Sequence, residues 1–188
     1  MSEAVSVKEG ASFGGAVEVA DAGLCGMITL RGDLGDEKLA AAVKSAVGLA
    51  LPKPRQIMEG KRGAVAWMSP DELLLFVDYT AADAKVNDLE AALADTHHLA
   101  LNVSDARAVF TLKGNGVREV IAKGAPVDMS SAGLPVGELR RTRLGQVAAA
   151  FWLSDAKTLT LVSFRSVGGF VYDWLCNAAE TGTLPEVL

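Results

Sequence analysis

An internal duplication limits what this chain can fold into more than any other feature of its sequence. Three short segments of the first half return in the same order in the second half, and the offset between copies grows only from 82 to 86 residues. The matched segments are residues 29–32 and 111–114, residues 67–69 and 152–154, and Leu73 and Leu159. Because insertions are tolerated best in loops, so small a drift is typical of two copies of one folding unit.

Each copy is predicted to contain the order strand, helix, strand, strand, helix. Apolar residues at helical spacing predict helices over residues 36–50 and 81–94 in the first half and over residues 117–123 in the second. A further helix follows Ser166, its predicted N-terminal cap, and carries an apolar stripe that includes Phe170. The predicted fold class is therefore α+β, an internally duplicated domain with helices on one face of mostly antiparallel sheets.

The N-terminal residues differ from the rest of the chain in composition. Residues 1–24 are rich in Gly, Ala and Ser and show no hydrophobic periodicity. We expect them to form a flexible N-terminal arm that is loose on its own and becomes ordered against a partner. Residues 25–100 are then the first half of the duplication and residues 101–188 the second half, within one compact domain.

Charge and composition argue against several classes of protein. The 188 residues include 18 Lys and Arg against 23 Asp and Glu, a net charge of −5, whereas nucleic-acid-binding proteins usually carry a basic surplus. The longest uncharged stretch, residues 144–154, has 11 residues, and a membrane-spanning helix needs about 20. No export signal is recognisable, and Cys25 and Cys176 fit unpaired thiols in a reducing compartment. We expect a cytoplasmic protein that binds neither nucleic acid nor membranes.

Residues that could carry catalysis or hold a metal are few. His97 and His98 are the two histidines of the chain, and neighbours on a strand point to opposite faces, so they would not share one metal ion. Residues 114–116 (Gly-Asn-Gly) lack the remaining elements of a dinucleotide fingerprint or a P-loop, which favours a tight turn. The sequence therefore predicts no catalytic, cofactor-binding or metal-binding residue.

Arginines form the one group of charged residues that stands out. Arg140, Arg141 and Arg143 cluster on a predicted strand, and Arg165 lies just before Ser166. One interpretation is a solvated edge strand, on which charges suppress aggregation. The other is contact with an acidic partner or an anionic ligand, because arginine is enriched at interfaces. These four residues are our candidates for subunit-interface or fold-organising roles.

A series of motifs covering residues 28–179 resembles one known family. The motifs are Trp-Met-Ser-Pro-Asp-Glu-Leu-Leu-Leu at residues 67–75, Val-Ser-Asp-Ala-Arg at residues 103–107, Leu-Lys-Gly at residues 112–114, Ala-Lys-Gly-Ala-Pro-Val-Asp at residues 122–128, Thr-Arg-Leu-Gly at residues 142–145, and Phe-Arg-Ser at residues 164–166 followed by Trp-Leu at residues 174–175. Their order and spacing resemble the gamma subunits of heterotetrameric sarcosine oxidases.

The resemblance implies both a fold and a function. The fold would be similar to the folate-binding domain of the glycine-cleavage aminomethyltransferase, which is itself duplicated. The complex would demethylate sarcosine oxidatively to glycine, giving formaldehyde or methylene-tetrahydrofolate and hydrogen peroxide. Its FAD, FMN, NAD, tetrahydrofolate and zinc would be held by other subunits, and this chain would hold none. The implied partners are the alpha, beta and delta subunits, chiefly the flavin-bearing beta subunit.

The chain departs from the family's pattern at one position, and two other functions are alternatives to the one that the resemblance implies. Ala125 stands where family members often have Cys, which argues against thiol chemistry at that position. An alternative function is a free-standing folate-binding or one-carbon transfer protein of the same fold, and another is a homo-oligomeric scaffold without a ligand. In the main interpretation, the isolated chain has no catalytic activity.

Overall fold

Antiparallel strand pairing builds two sheets, and each sheet belongs to a different unit of the chain. The computed structural model describes residues 3–188. Unit I comprises residues 25–105, and unit II combines residues 3–24 with residues 106–188. Every strand pair among the described residues is antiparallel, which confirms the predicted α+β class.

The elements follow one another along the chain with short connections. Their bounds are β1 Ser12–Gly14, β2 Glu18–Asp21, β3 Gly26–Gly32, α1 Glu37–Val47, β4 Ile57–Gly60, β5 Gly63–Ser69, β6 Glu72–Val77, α2 Ala82–Ala92, β7 His98–Asn102, β8 Arg107–Lys113, α3 Val117–Ala122, β9 Leu139–Leu144, β10 Val147–Asp155, β11 Thr158–Phe164 and α4 Gly168–Ala178. Short 3₁₀ helices precede α2, β8 and α4, at Tyr79–Ala81, Ser104–Ala106 and Arg165–Val167.

Unit I is a sheet in the order β4-β5-β6-β3-β7 with α1 and α2 packed on it. Alternate strand residues such as Ile28 and Leu75 meet Leu39 and Val43 of α1 in one buried cluster. Helix α1 stops three residues before the predicted end because Gly48, with φ of 77°, adopts the left-handed conformation that closes a helix.

Unit II has a six-stranded sheet in the order β1-β2-β8-β11-β10-β9, with α3 and α4 packed beside it. Its core joins Phe110, Phe151 and Leu161 of the strands to Val171 and Leu175 of α4, and all five are fully buried. The sequence predicts Phe170 in the same buried stripe, and this prediction is wrong, because its side chain is 56% exposed. Ser166 is also not the helix cap, since it lies inside the preceding 3₁₀ helix.

The duplication is confirmed by matching topology and by a shared irregularity. The order β4-β5-β6-β3 in unit I corresponds to β9-β10-β11-β8 in unit II. The β5–β6 pairing shifts register between Trp67 and Ser69, and the β10–β11 pairing shifts between Leu153 and Asp155. A bulge kept at the same place in both copies is expected when one unit has been duplicated.

The strand that completes each sheet comes from a different place in the chain. In unit I, β7 follows α2 and pairs with β3, whereas in unit II, β2 precedes the whole repeat and pairs with β8. The prediction that residues 1–24 form a flexible arm is therefore wrong for the part that contains β1 and β2. Val17 and Val19 of this segment are buried in the unit II core. Residues 1 and 2 of that arm lie outside the described residues. The boundary predicted after residue 100 also moves to residue 105, because β7 belongs to unit I.

A buried carboxylate anchors the last residues of unit II. Glu119 of α3 is 5% exposed and accepts hydrogen bonds from the backbone N–H groups of Glu186, Val187 and Leu188 at 2.6 to 2.8 Å. The amide of Leu188 contributes most to holding the pKa of Glu119 below its usual range, against the opposing effect of burial. Among the described residues, no helix is both long and apolar enough to cross a lipid bilayer.

Candidate interaction surface

The four candidate arginines lie at separate positions in unit II. Arg140, Arg141 and Arg143 belong to β9, which pairs only with β10 among the described strands and so forms one edge of the sheet. Arg165 begins the 3₁₀ helix after β11, two strands away from that edge.

Arg140 points to the helix-covered side of the sheet and donates hydrogen bonds to residues close to it in the sequence. Its Nη1 donates to the carboxylate of Glu138, and its Nη2 donates to the backbone carbonyl of Gly133. The pKa of the nearby Asp128 is lowered chiefly by the backbone N–H of Ser130 and, to a smaller extent, by the charge of Arg140. These contacts give Arg140 a fold-organising geometry.

Arg165 binds the N-terminal segment of unit II. Its Nη2 donates to the carbonyl of Val5 at 2.6 Å. Two further contacts hold the same segment, because Lys8 Nζ lies 2.7 Å from Asp173 and Asp21 accepts from the Ser6 hydroxyl at 2.7 Å. Arg165 therefore also has a fold-organising geometry, although its contact joins residues 160 positions apart in the sequence.

Asp21 is the centre of this N-terminal network. Its carboxylate is 6% exposed and accepts from the backbone N–H groups of Lys8 at 2.8 Å and Gly23 at 3.1 Å, besides the Ser6 hydroxyl. Burial acts to raise the pKa of Asp21, but the hydrogen bonds together outweigh it and lower the pKa. The sequence alone did not indicate Asp21, because most of its donors belong to residues 6–10, more than ten positions away in the sequence.

Arg141 and Arg143 are exposed on the other side of the same strand, as alternation predicts. Strand pairing sets Arg143 opposite Ala148, and it sets Phe164 opposite Arg107. The β10–β11 register, which pairs Ala149 with Ser163, places Ala148 opposite Phe164 one step further along. Because residues opposite each other share a face, Arg143, Ala148, Phe164 and Arg107 form one row across four strands, which we name the arginine row.

The arginine row contains a stacked pair that sequence reasoning missed. The Arg107 guanidinium lies 4.3 Å from the centroid of the Phe164 ring, at a distance typical of cation–π contact. The Phe164 side chain is nevertheless 45% exposed. Only the pairing of β8 with β11 brings these two residues together, so no local sequence signal could have found them.

Unit I contains a separate cavity of about 650 Å³ at one end of its sheet. Its lining includes Arg31, Asp33, Asp71, His97 and His98, a mixture of positive and negative side chains. The ring of His98 lies between two acceptors, with Nδ1 2.8 Å from the carbonyl of Thr96 and Nε2 3.3 Å from the carboxylate of Glu90. Within residues 3–188, no three His, Cys, Asp or Glu side chains are grouped so as to hold a metal ion.

The two cysteines are unpaired and are unsuited to nucleophilic chemistry. Burial raises the pKa of the Cys25 thiol, and burial is also the main cause that raises the pKa of Cys176. Since the thiolate is the reactive form, both thiols are largely unreactive near neutral pH. The neighbouring Tyr172 has its pKa raised to about 12, mainly by burial.

Comparison with known families accounts for the duplicated fold and for the order of the motifs. A model of the sarcosine oxidase gamma subunit family matches residues 31–181. The chain belongs to the sarcosine oxidase gamma subunit family. This family member is 26% identical over 170 residues to the sarcosine oxidase subunit gamma of Corynebacterium sp. (strain U-96), an alignment that spans 90% of this chain and 81% of the relative. The resemblance inferred from the motifs is thereby confirmed.

Solved structures agree on the fold. The gamma subunit family member described here is similar to a chain of the heterotetrameric sarcosine oxidase from Corynebacterium sp. U-96 in complex with pyrrole 2-carboxylate, with a TM-score of 0.79, 24% identity, and coverage of 89% of this chain and 87% of that one. It is also similar to glycine cleavage system aminomethyltransferase T from Bartonella henselae, with a TM-score of 0.58, 14% identity, and coverage of 84% of this chain and 45% of that one. The second similarity confirms the expected aminomethyltransferase-like fold.

Proposed function

We propose that this chain is a non-catalytic subunit of a heterotetrameric sarcosine oxidase and that it supports assembly with the flavin-bearing beta subunit. The observation that carries the proposal is the family match over residues 31–181. It is supported by the similar fold of a chain in a sarcosine oxidase that is itself heterotetrameric. The alpha and delta subunits would complete the complex.

The reaction proposed for the assembled complex is the oxidative demethylation of sarcosine. Sarcosine, oxygen and water would give glycine, formaldehyde and hydrogen peroxide, or methylene-tetrahydrofolate in place of formaldehyde when tetrahydrofolate accepts the one-carbon unit. FAD, FMN, NAD, tetrahydrofolate and zinc would be bound by other subunits. A cytoplasmic location is supported by the unpaired thiols of Cys25 and Cys176, since a reducing compartment keeps thiols free.

The four arginines are proposed to divide between two roles. Arg140 and Arg165 would act within the fold, since each donates to a backbone carbonyl of unit II. Arg141 and Arg143 would contact the partner, since both side chains are exposed at the edge of a sheet. Arginine is enriched at protein interfaces because its planar guanidinium pairs well with carboxylates.

The proposed function is tested by co-expression. The full chain would be produced together with the alpha, beta and delta subunits of the same organism and separated by size-exclusion chromatography at moderate salt. We expect it to elute with the yellow flavoprotein fractions, while the chain produced alone elutes later and shows no sarcosine oxidation.

A chain that folds well but always elutes apart from the flavoprotein would overturn the proposal. Titration of the separated chain with tetrahydrofolate would then follow, because micromolar binding would favour a free-standing folate-binding protein. Light scattering on the same sample would reveal a homo-oligomeric scaffold.

A further inference from the structure

His98 at the start of β7 has a hydrogen-bond acceptor beside each of its two ring nitrogens. Nδ1 lies 2.8 Å from the backbone carbonyl oxygen of Thr96, and Nε2 lies 3.3 Å from the Oε2 atom of Glu90 in α2. The His98 side chain is only 8% exposed, and its Nε2 is shielded from solvent and makes no aligned hydrogen bond to any described residue. The charge state of the ring therefore depends on these two neighbours.

An imidazole can serve two acceptors only when both of its nitrogens carry a proton. In the neutral ring one nitrogen is a donor and the other is an acceptor, whereas the imidazolium donates from both. A neutral His98 that donates from Nδ1 to Thr96 leaves the lone pair of Nε2 facing the Glu90 carboxylate, and the opposite tautomer leaves the lone pair of Nδ1 facing the Thr96 carbonyl. The geometry therefore fits the protonated ring, because either neutral form brings two acceptors into contact.

The same Glu90 carboxylate covers part of the edge of β7. Its Oε1 accepts from the backbone N–H of Ala100 at 3.3 Å. Strand β7 pairs only with β3 among the described strands, so the carboxylate takes a place that a further strand would otherwise occupy. The Glu90 side chain is 50% exposed and can turn into water, whereas the Thr96 carbonyl is fixed in the backbone. A change in the charge of His98 therefore reaches the Ala100 amide through Glu90.

We propose that His98 and Glu90 form a pH-sensitive device that controls access to the edge of β7. When His98 is protonated, its positive charge holds the Glu90 carboxylate over the Ala100 amide. When His98 loses the proton, the Nε2 lone pair repels the carboxylate, Glu90 turns into solvent, and the amide becomes accessible. Histidine ordinarily changes its charge between about pH 5 and 8, so the edge is covered below this range and uncovered above it. The device lies within unit I and does not depend on the function proposed above.

The other charged or titratable groups around His98 have different partners or face solvent. Those of α2 and β3 have different partners: Asp83 bonds to Asn102, Asp88 pairs with Lys85, and Arg31 pairs with Glu72. The exposed groups, which line the neighbouring cavity or belong to the loop before β7, are Asp33, Asp71, Asp95 and His97. Glu90 is therefore the carboxylate whose position responds most directly to the charge of His98.

Uncovering the Ala100 amide changes what β7 can bind. The edge strand also carries Leu99 and Leu101, whose side chains are 49% and 52% exposed. An unpaired backbone N–H beside exposed apolar side chains is the arrangement to which a further strand can add. The charge of a single histidine would therefore decide whether this edge of unit I is open to another strand.

The test is hydrogen exchange of the Ala100 amide in the full chain between about pH 5 and about pH 8. After correction for the intrinsic pH dependence of exchange, we expect its protection to fall about two- to fivefold as pH rises, the size typical of a partly exposed ion pair. In Glu90→Gln the side-chain oxygen still accepts from Ala100 but has no charge for His98 to attract, so protection should not vary with pH. His98→Gln has no group that titrates in this range and should also give constant protection.

His97→Gln is the matched control, because His97 is exposed, directly precedes His98 and lines the same cavity. We expect this control to keep the wild-type pH dependence. Constant protection in the wild-type chain, or an unchanged pH dependence in Glu90→Gln, would overturn the device. Loss of the dependence in His97→Gln would also overturn it, since the neighbouring histidine would then be responsible. If circular dichroism shows that His98→Gln does not fold, Glu90→Gln still decides, because it alters a half-exposed side chain.

Discussion

Single side chains of unit II connect segments that are distant in sequence. Asp21 gathers the donors of residues 6–10, and Arg165 holds the carbonyl of Val5. A polar contact contributes little to stability when it is exposed and contributes more when it is buried and multiply bonded, as the Asp21 carboxylate is. The structure of the N-terminal residues therefore depends on a few polar contacts as well as on the apolar contacts of β2.

Replacing Asp21 by Asn tests the acceptor role of this carboxylate. Asn keeps the shape but loses charge and directs an NH₂ group at backbone donors, so we expect unfolding free energy to fall by about 1–3 kcal/mol at pH 7. Because the pKa of Asp21 is lowered in the folded state, its stabilisation is complete above its ordinary pKa and is lost as pH falls through the folded value. Urea unfolding of both proteins should therefore show a difference above about pH 5 that shrinks below about pH 4.

The exposed pair of Lys8 and Asp173 supplies the control for that experiment. Asp173 has 68% of its side chain exposed, so Asp173→Asn should change stability by less than about 1 kcal/mol. An Asp21→Asn protein whose stability differs from wild type equally at every pH would contradict the proposed titration.

Sequence reasoning works at this scale for local contacts and fails for distant ones. Asp36 caps α1 through the N–H of Lys38, and such a cap lies within two residues of its donor. Arg107 and Phe164 are paired only through β8 and β11, and Arg165 reaches a residue near the start of the chain. Contacts of the second kind depend on the register of strands, which a single sequence does not specify.

Among the elements, the strands of the duplicated core were predictable, whereas most of the edge strands were not. Inner strands such as β6 and β11 are apolar on one or both faces and contrast with the turns around them. Strand β4 has three of its four residues exposed, and β7 begins at His98, so neither shows a clear pattern. A prediction based on the alternation of buried and exposed residues therefore identifies the inner strands of a sheet and misses most of the edge strands.

Strand β7 is an edge strand whose exposed leucines make it a potential aggregation site. Leu99 and Leu101 are 49% and 52% exposed, and β7 pairs only with β3 among the described strands. Glu90 of α2 covers part of this edge, since its Oε1 accepts from the backbone N–H of Ala100 and its Oε2 lies beside His98 Nε2, both at 3.3 Å. A charged group that blocks an outward amide is one way in which proteins protect sheet edges.

Removing that carboxylate should favour self-association. In Glu90→Ala the amide of Ala100 becomes available to a strand of a second molecule, so we expect light scattering to show oligomers whose fraction rises with protein concentration. Asp88→Ala is the control, because Asp88 lies on the same helix and its carboxylate faces Lys85 at 3.5 Å instead of the edge. A Glu90→Ala protein as monodisperse as this control would show that the edge needs no such cover.

At the scale of the whole molecule, the two copies differ in where their fifth strand lies in the sequence. In unit I it is β7, which follows the four repeated strands, and in unit II it is β2, which precedes them. Unit I is continuous in sequence, while unit II needs residues 3–24 to reach its full sheet. The duplication could be read from the sequence because it repeats local patterns at a nearly constant offset. The position of β2 in the sheet could not be predicted from the sequence, because Val19 of β2 and Val17 just before it are isolated apolar residues of the kind that also occur in a loose segment.

Truncating a side chain of β2 should therefore destabilise unit II selectively. Val19 is fully buried, and Val19→Ala removes two methyl groups from the core, which costs about 1–3 kcal/mol. Hydrogen exchange should show the loss in amides of β8 and β11, with those of β3 and β6 changed less. Val5→Ala, the same change at a side chain that is 49% exposed, should leave both sets of amides at wild-type rates. Equal loss in the two units after Val19→Ala would contradict the assignment of β2 to unit II.

The late pairing of β2 has a consequence for how the chain is made on the ribosome. Glu18 pairs with Lys113, a residue synthesised 95 positions later. At about 5–20 residues per second, β2 waits for about 5–20 s before β8, its inner neighbour in the sheet, has been translated. Unit I is completed during that interval, so the nascent chain carries a finished unit preceded by β1 and β2, which pair with each other but still lack β8. The N-terminal strands are thus among the last parts of the chain to complete their native pairing. Chaperones that bind short apolar segments would have access to them before unit II folds.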